Sequence, residues 1–211
     1  MTIKSPIFEE TYKNYLAQLA GIDFLSRAKT LGITIQDGEA LIPFLRTPYR
    51  VSPNGVFDPL GKEPLHAVSV VLCRYLLLCP DKAPFGEGWV SYKDFKDAGP
   101  FVGGFVNNTE KALVKFFSGR LPQLKEACRI LGGHSSDLEL SYQVVLQFDI
   151  LPKIPLLLLF NDKDEEFPAQ CSLLFQKKAE SYLDMECLAI LGWFLTEALI
   201  QALEADHKTM M

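Results

Sequence analysis

The densest group of side chains that could bind a cation is an acidic turn at residues 162–166, which reads Asp-Lys-Asp-Glu-Glu. Hard cations such as Ca²⁺ and Mg²⁺ prefer several oxygen ligands, and closely spaced carboxylates on one loop can supply them. The spacing is not that of an EF-hand loop, which needs a glycine at its sixth position and a glutamate at its twelfth. Asp162, Asp164, Glu165 and Glu166 are candidate metal ligands, and the alternative is a solvated turn between two strands.

A second candidate group surrounds His134, which follows a pair of glycines and has Asp137 and Glu139 close by in the sequence. A histidine beside a carboxylate can act as a general acid or base, or as a weak metal site. The alternative is an ordinary histidine on a surface loop. His134 and Glu139 are therefore candidate ligand-binding residues.

The third candidate is a stretch rich in glycine and aromatic residues at positions 84–106. Trp89, Tyr92 and Phe95 could line a pocket for a flat organic ligand or for a partner helix. Alternatively, these rings fill the core of the domain beneath the loop. Long loops in compact domains are often functional, which keeps the three residues as candidate ligand contacts.

Catalytic signatures are absent from the sequence. There is no G-x-S-x-G elbow and no phosphate-binding glycine loop, and no two of the five cysteines have C-x-x-C spacing. No residue is assigned a catalytic role, and whether the chain is an enzyme stays open. Its cofactor, if it has one, is unknown.

The charge balance argues against nucleic acid as a partner. The formal net charge is -5, and the longest basic cluster is the pair Lys177-Lys178. The start of the chain has no apolar run typical of a signal peptide. The apolar stretch from Leu188 to Leu203 is interrupted by Glu197 and is shorter than the roughly 18 residues of a membrane span. We therefore expect a cytoplasmic protein without a membrane partner.

The N-terminal part predicts two helices. Asp23 is the predicted N-cap of the second helix, and Gly32 is its predicted end. Four apolar residues recur at helical spacing on one face of the first helix: Phe8, Tyr12, Tyr15 and Leu19.

Two turn signals predict a small antiparallel meander between residues 33 and 58. Asp37-Gly38 and Asn54-Gly55 each lie between short apolar runs, and both dipeptides favour type I′ hairpin turns. Pro43 and Pro48 are expected at an edge, a bulge or a strand start, because proline cannot donate a hydrogen bond to the ladder.

The middle of the chain predicts a buried helix followed by a long loop. Residues 64–79 are almost entirely apolar apart from Arg74, and a helix that is apolar on all sides is buried. Residues 80–106 are interpreted as an ordered loop with one helical turn around Tyr92. Two short helices follow, and Thr109 or Asn108 is expected to cap the first of them.

The last third predicts three antiparallel strands and a long helix. The strands are residues 142–150, 155–160 and 170–175, of which the second is continuously apolar and should be covered on both faces. The helix starts near Asp184 and is apolar on more than one face. It is either buried within the domain or forms the contact of a homodimer.

These elements predict an α+β fold: N-terminal helices, a small β-meander, a central buried helix, and a C-terminal antiparallel sheet backed by the long helix. We interpret residues 1–211 as one domain, with residues 1–60 as an alternative small subdomain.

The blocks GEGWVSYKDF, LPKIPLLLLF and DEEFPAQCSLLF resemble domain of unknown function 3786, a family of uncharacterised proteins from anaerobic bacteria and archaea. The resemblance covers most of the chain. This chain has Leu138-Glu139 where the family tends to have Gly-Asp, and Gln176 where it often has aspartate. The family implies no established activity.

The leading interpretation is a non-catalytic binding or accessory protein of anaerobic metabolism that binds an unknown small molecule or protein. One alternative is a metal-assisted hydrolase or transferase that uses the acidic turn 162–166. Another is a structural homo-oligomer built on the C-terminal helix.

Overall fold

The computed structural model describes residues 6–86 and 88–209, with side chains described for 9–86 and 88–203. It has the predicted α+β fold, with two antiparallel sheets of four and five strands. The N-terminal half contains α1 (Pro6–Leu19), α2 (Phe24–Leu31), β1 (Thr34–Gln36), β2 (Glu39–Phe44), β3 (Thr47–Ser52), β4 (Gly55–Phe57) and α3 (His66–Leu77). The remainder contains β5 (Trp89–Ser91), α4 (Val102–Asn108), α5 (Glu110–Phe117), α6 (Leu121–Ile130), β6 (His134–Ser135), β7 (Val144–Leu151), β8 (Ile154–Asn161), β9 (Gln170–Gln176) and α7 (Met185–Thr209).

Both N-terminal helices are present as predicted, and the signals that bound α2 act as expected. The Asp23 carboxylate accepts a hydrogen bond from the backbone N–H of Leu25 at 3.0 Å. Gly32 ends the helix with φ at 67°, a left-handed conformation that glycine adopts without steric cost. On α1, Leu19 is buried, whereas the side chain of Phe8 lies outside the described residues.

The four-stranded sheet has the order β1-β2-β3-β4 and contains the predicted meander. Asp37 and Gly38 both have positive φ, as a type I′ turn requires. The second turn differs from its prediction. Ser52 pairs with Gly55, so the turn residues are Pro53 and Asn54, and proline cannot adopt the positive φ of a type I′ turn.

Pro43 and Pro48 lie opposite each other in the β2–β3 hairpin. Strand β1 pairs only with residues 39–41 of β2, and β4 pairs only with residues 50–52 of β3. Both prolines therefore lie where the strand has no outer neighbour, which confirms the expectation of edge positions.

A turn that the sequence did not signal joins the two sheets. Leu45 and Arg46, at the tip of the β2–β3 hairpin, have φ of 41° and 68° although neither is glycine. The N–H of Leu45 donates to the carbonyl of Ile150 at 2.9 Å, and the Arg46 guanidinium donates to the carbonyl of Ile130 at 3.3 Å. These tertiary bonds hold a backbone conformation that is unfavourable for side-chain-bearing residues.

The five-stranded sheet has the order β5-β9-β8-β7-β6, so it contains the three predicted strands and two shorter ones. Strand β5 and most of α4 lie in the segment interpreted from the sequence as loop, and that part of the interpretation is wrong. Trp89 pairs with Gln176, and three residues of β5 extend the sheet beyond β9. The predicted helical turn at Tyr92 is present as a 3-10 turn that follows β5 directly.

Alternation along β8 divides its apolar side chains between two faces. Leu156 shares a face with Phe148 and Phe175, and the Phe175 ring lies 5.9 Å from that of Phe105 on α4. This face packs against the helices. Leu157 belongs to the opposite face and is also fully buried, so both faces of the strand are covered as predicted.

The expected side-chain cap at the α4–α5 junction is absent. The hydroxyl of Thr109 donates back to the carbonyl of Phe105 at 2.6 Å instead of accepting a hydrogen bond from the helix that follows. Thr109 is buried, and its N–H also bonds to the Phe105 carbonyl. The hydroxyl therefore satisfies the end of α4 rather than the start of α5.

Helix α7 is apolar on several sides, which the domain covers to different extents. The leucines of one strip are buried without exposed surface: Leu188, Leu191, Leu195 and Leu199. Ile190, Phe194 and Ile200 are partly buried and pack against the core. Trp193 is also partly buried and lines a surface groove. Internal packing covers these side chains fully or in part, and the homodimer stays a prediction.

The apolar part of α7 is longer than the sequence estimate. Met185–Leu203 reaches 19 residues, and by length and composition it is the one helix of the described residues that could cross a membrane. The core helix of a globular protein meets the same criterion, and α7 packs against the core of this domain along one strip.

Candidate functional site

Of the three predicted aromatic ligand contacts, two lie inside the domain. Tyr92 is 2% exposed, its ring stacks on that of Phe105 at 4.3 Å, and its hydroxyl donates to the carbonyl of Met185 at 2.7 Å. Burial raises the pKa of Tyr92 to about 12. Phe95 is buried beside it. Both rings fill the core, which was the alternative interpretation of this segment.

Trp89 is partly buried and lies opposite Gln176, on the β5 edge of the large sheet. The side-chain oxygen of Gln176 is buried and has no hydrogen-bond partner among the described residues. A buried acceptor without a partner is rare in folded proteins. Ligand binding by Trp89 stays a prediction.

His134 lies on the short strand β6, and its nearest acidic partner is not one of those suggested by the sequence. Its Nε2 lies 3.3 Å from Oδ2 of Asp149 on β7, rather than next to Asp137 or Glu139. Sheet pairing of His134 with Gln147 causes this, because it brings the second residue beyond Gln147 within reach. The His134 and Asp149 side chains are 47% and 67% exposed. Ligand binding by His134 and Glu139 stays a prediction.

The carboxylates of the acidic turn mainly close the turn itself. Asp162 Oδ1 accepts hydrogen bonds from the N–H of Gly119 at 2.6 Å and of Lys163 at 2.8 Å. Asp164 Oδ1 accepts from the N–H of Phe167 at 2.7 Å and of Glu166 at 2.8 Å. These backbone N–H groups lower the pKa of Asp164.

Over the described part of the chain, no three His, Cys, Asp or Glu side chains converge as metal ligands would. The role of Asp162, Asp164, Glu165 and Glu166 as metal ligands stays a prediction.

A different place in the molecule brings polar and apolar side chains together around a cavity. The α1–α3–α7 cleft, named after the three helices that form it, has a volume of about 410 Å³. Its lining residues come from all three helices and the residue before α7: Thr11, Tyr15, His66, Ala67, Val70, Arg74, Asp184, Glu186, Cys187 and Ile190. A depression of about 490 Å³ beside Phe116 is larger, but it is more open to solvent.

Helical periodicity explains which residues reach the cleft. Ala67, Val70 and Arg74 follow one another at three and four residues along α3, which places them on one side of the helix. Glu186 and Ile190 are four residues apart on α7 and share a side in the same way. The opposite sides of both helices face the core. The cleft therefore lies between the sides of α3 and α7 that point away from the core.

The polar wall of the cleft is an ion pair between α3 and the start of α7. The guanidinium of Arg74 donates to Asp184 Oδ2 from Nε at 3.0 Å and from Nη2 at 2.8 Å. Asp184 Oδ1 accepts from the N–H of Cys187 at 2.9 Å, as an N-cap side chain does. The Arg74 guanidinium carbon also lies 5.5 Å from the ring centroid of Tyr15, within cation–π range.

The electrostatics keep this pair charged although it is only partly exposed. Burial opposes ionisation of Asp184, but the N–H of Cys187 and the guanidinium of Arg74 outweigh it, so its pKa is lowered. Burial also opposes the charge of Arg74, and Asp184 more than compensates, so its pKa is raised. The two directions agree, because each partner favours the ionised form of the other.

The side chains of the cleft are suited to binding a ligand rather than to nucleophilic catalysis. Cys187 is the thiol in its lining, and burial followed by the neighbouring Asp184 charge raises its pKa well above the ordinary value. A protonated thiol is a weak nucleophile. Arg74 and Asp184 are engaged with each other, and they present one charged wall beside the apolar side chains of Val70 and Ile190.

This cleft was not predicted from the sequence, although one signal was available. Arg74 is the one charged residue in an otherwise apolar helix, and arginine is almost never buried without a partner. That pattern predicts an acidic partner beside α3. It does not say which of the 26 acidic residues is the partner.

Comparison with known proteins gives one match. A family model described as domain of unknown function (DUF3786) matches residues 23–198, from the N-cap of α2 into the second half of α7. The match includes the α3 and α7 walls of the cleft but not Thr11 and Tyr15 of α1. Neither the curated proteins nor the solved structures contain a significant match.

Proposed function

The chain belongs to the DUF3786 family, and we propose that it is a non-catalytic binding protein that holds a small organic molecule in the α1–α3–α7 cleft. One observation carries the proposal: the cleft combines a ligand-sized volume with an ion pair fixed among apolar walls. Small-molecule sites in proteins span roughly 300–1,000 Å³ and combine mostly apolar linings with a few placed polar groups. The cleft fits both criteria.

Preorganisation of the polar wall supports binding as the function. Asp184 is fixed by the N–H of Cys187, and Arg74 is fixed by Asp184, so neither side chain needs to be ordered when a ligand arrives. Sites whose side chains are already ordered lose less entropy on binding. The raised pKa of Cys187 supports the absence of a catalytic step at this site.

The proposal includes a cytoplasmic location and a ligand from anaerobic metabolism. All five cysteines are free thiols, which suits the reducing cytoplasm. The anaerobic setting comes from the resemblance to the family alone. Purification without oxygen from the native host is therefore the condition under which a bound molecule is expected to survive.

Fragment binding measured by thermal shift tests the proposal. Ala67 lines the cleft and is partly buried in α3, so Ala67→Phe should fill part of the cavity. Ala112 is a matched control, because it is a partly buried alanine of α5 that lines the open depression beside Phe116. Ligand at 100 times its Kd stabilises the folded state by about 2.7 kcal/mol.

Fragments that raise the melting temperature of the wild type should do so for Ala112→Phe but not for Ala67→Phe. Circular dichroism confirms that both variants are folded. Equal stabilisation of a folded Ala67→Phe variant would place the ligand elsewhere and remove the support for the cleft.

A further inference from the structure

A second cavity continues the α1–α3–α7 cleft along the surface of α7. This α4–α7 groove has a volume of about 320 Å³, and α4 with the turn before it forms its second wall. Glu186 and Ile190 line both cavities. The two spaces are therefore neighbours along one side of α7 and border the same two side chains.

The floor of the combined space is a strip of α7 with helical spacing. Glu186, Ile190 and Trp193 follow at intervals of four and three residues, which places them on one side of the helix. At a rise of 1.5 Å per residue, the strip is roughly 10 Å long from Glu186 to Trp193. A compact ligand would leave most of this length empty, so the shape fits an elongated molecule.

Charged side chains are concentrated at the cleft end of the strip. The cleft end contains the Arg74–Asp184 pair, together with Thr11 and Glu186. The groove end is bordered by Trp193 and by Phe101, which is 37% exposed, and its further polar residues, Asn108 and Thr109, are uncharged. A ligand that matches both ends has one polar head and an apolar body.

The charges of the cleft select the sign of that head. Asp184 neutralises Arg74, and no lysine or arginine of the described residues forms an ion pair with Glu186. Apart from His66, the charged side chains of the lining are Arg74, Asp184 and Glu186, one positive and two negative. The local balance is negative, which favours a cation and disfavours a carboxylate or phosphate.

We propose that the ligand is an elongated apolar molecule with an ammonium head, which rests on the binding function proposed for the cleft. The head lies beside Asp184 and Glu186, and the body follows Ile190 into the α4–α7 groove as far as Trp193. Hydrogen bonds from the ammonium group to the two carboxylates fix the head, and burial of the body supplies most of the affinity.

Calorimetry with n-propylamine, n-pentylamine and n-octylamine, with n-octanoate as the anionic analogue, tests this assignment. The affinity should rise roughly fourfold for each methylene group that enters the groove. Octanoate should bind roughly fivefold or more weakly than octylamine, and Glu186→Gln should narrow that difference.

Two neighbouring glycines of α4 supply a matched pair of variants for the groove. Gly104 lines the groove and Gly103 does not, both are exposed, and a Cβ atom added at either would meet open space. Gly104→Leu should remove the gain in affinity from propylamine to octylamine. Gly103→Leu should keep it, although both changes raise helix propensity equally.

The possible outcomes distinguish an error in the proposed ligand class from an error in the proposed function of the cleft. Short amines that bind without any gain from a longer chain would overturn the elongated shape. Octanoate that binds as tightly as octylamine would overturn the cationic head. In both cases the cleft would remain the proposed binding site if Ala67→Phe abolishes binding of the probes. If none of the four probes binds the wild type, the ligand class is wrong, and fragment binding still decides the function of the cleft.

Discussion

Arg74 and Asp184, 110 residues apart, are joined by two hydrogen bonds that end on the same carboxylate oxygen, at 3.0 and 2.8 Å. The bonds tie the last turns of α3 to the first turn of α7. The other carboxylate oxygen caps α7 through the N–H of Cys187. One aspartate thus links the two helices and forms part of the polar wall of the cleft between them.

We predict an energetic coupling between these two side chains. Arg74→Met and Asp184→Asn should each lower the free energy of unfolding by about 1–2 kcal/mol. The side chains are 24% and 38% exposed, which places the pair between surface and buried ion pairs. A double-mutant cycle from urea unfolding should give a coupling of about 1 kcal/mol. Strictly additive effects would mean that the pair contributes nothing to stability.

The same carboxylate should make stability depend on pH in the acid range. The pKa of Asp184 is lowered on folding from its ordinary value of 3.8, so its stabilisation is complete above that pH. This stabilisation is lost as the pH falls through the lowered pKa that Asp184 has in the folded state. Asp184→Asn keeps a good N-cap and removes the charge. The difference in urea midpoint between wild type and variant should shrink from pH 6 to pH 3, and a constant difference would contradict this assignment.

A second carboxylate, that of Glu110, is expected to stabilise the large sheet near its β5 edge. Strand β5 pairs only with residues 174–176 of β9, and the Glu110 carboxylate accepts the N–H of Leu173 at 3.1 Å beyond that point. Glu110 is partly buried, and this burial raises the pKa of its carboxyl group.

Glu110→Ala should therefore cost about 1–3 kcal/mol in unfolding free energy, because it leaves a buried N–H without a partner. Glu110→Gln retains an acceptor and should cost less. Glu165→Ala, at an exposed position, serves as the control and should stay within about 0.5 kcal/mol of the wild type.

Two leucines test the packing on different elements. Leu157 on β8 and Leu191 on α7 have no exposed surface, so truncation of either to Ala should cost about 2–5 kcal/mol. Leu60, which is 80% exposed, is the control for the same chemical change. If Leu157→Ala or Leu191→Ala has the same denaturation midpoint as the wild type, that leucine does not pack in the core as described.

Features fixed by neighbouring residues could be predicted from the sequence. The cap at Asp23, the left-handed Gly32 and the Asp37-Gly38 turn depend on contacts within a few residues, and each was found where expected. The Asn54-Gly55 prediction was wrong because the pairing of Ser52 with Gly55 moved the turn by one residue. Register depends on the whole strand pair, which a dipeptide does not encode.

Features fixed by distant residues could not be predicted in the same way. Strand β5 is three residues long and is held by its pairing with β9, so its own sequence carries little signal. His134 meets Asp149 because two strands pair. The cleft joins Tyr15, Arg74 and Asp184 from separate parts of the chain, and only the lone charge of Arg74 in its apolar helix indicated a buried partner.

Chemical-shift mapping of fragment binding by NMR tests the cleft most directly, because it locates the site of binding whatever the chemical identity of the ligand. The amide signals that move on titration should cluster at residues 66–74 and 184–190, and they should stop moving in Ala67→Phe but not in Ala112→Phe. Shifts that cluster instead around Trp89 or at the acidic turn 162–166, while residues 66–74 and 184–190 stay unchanged, would contradict the assignment of the α1–α3–α7 cleft as the binding site.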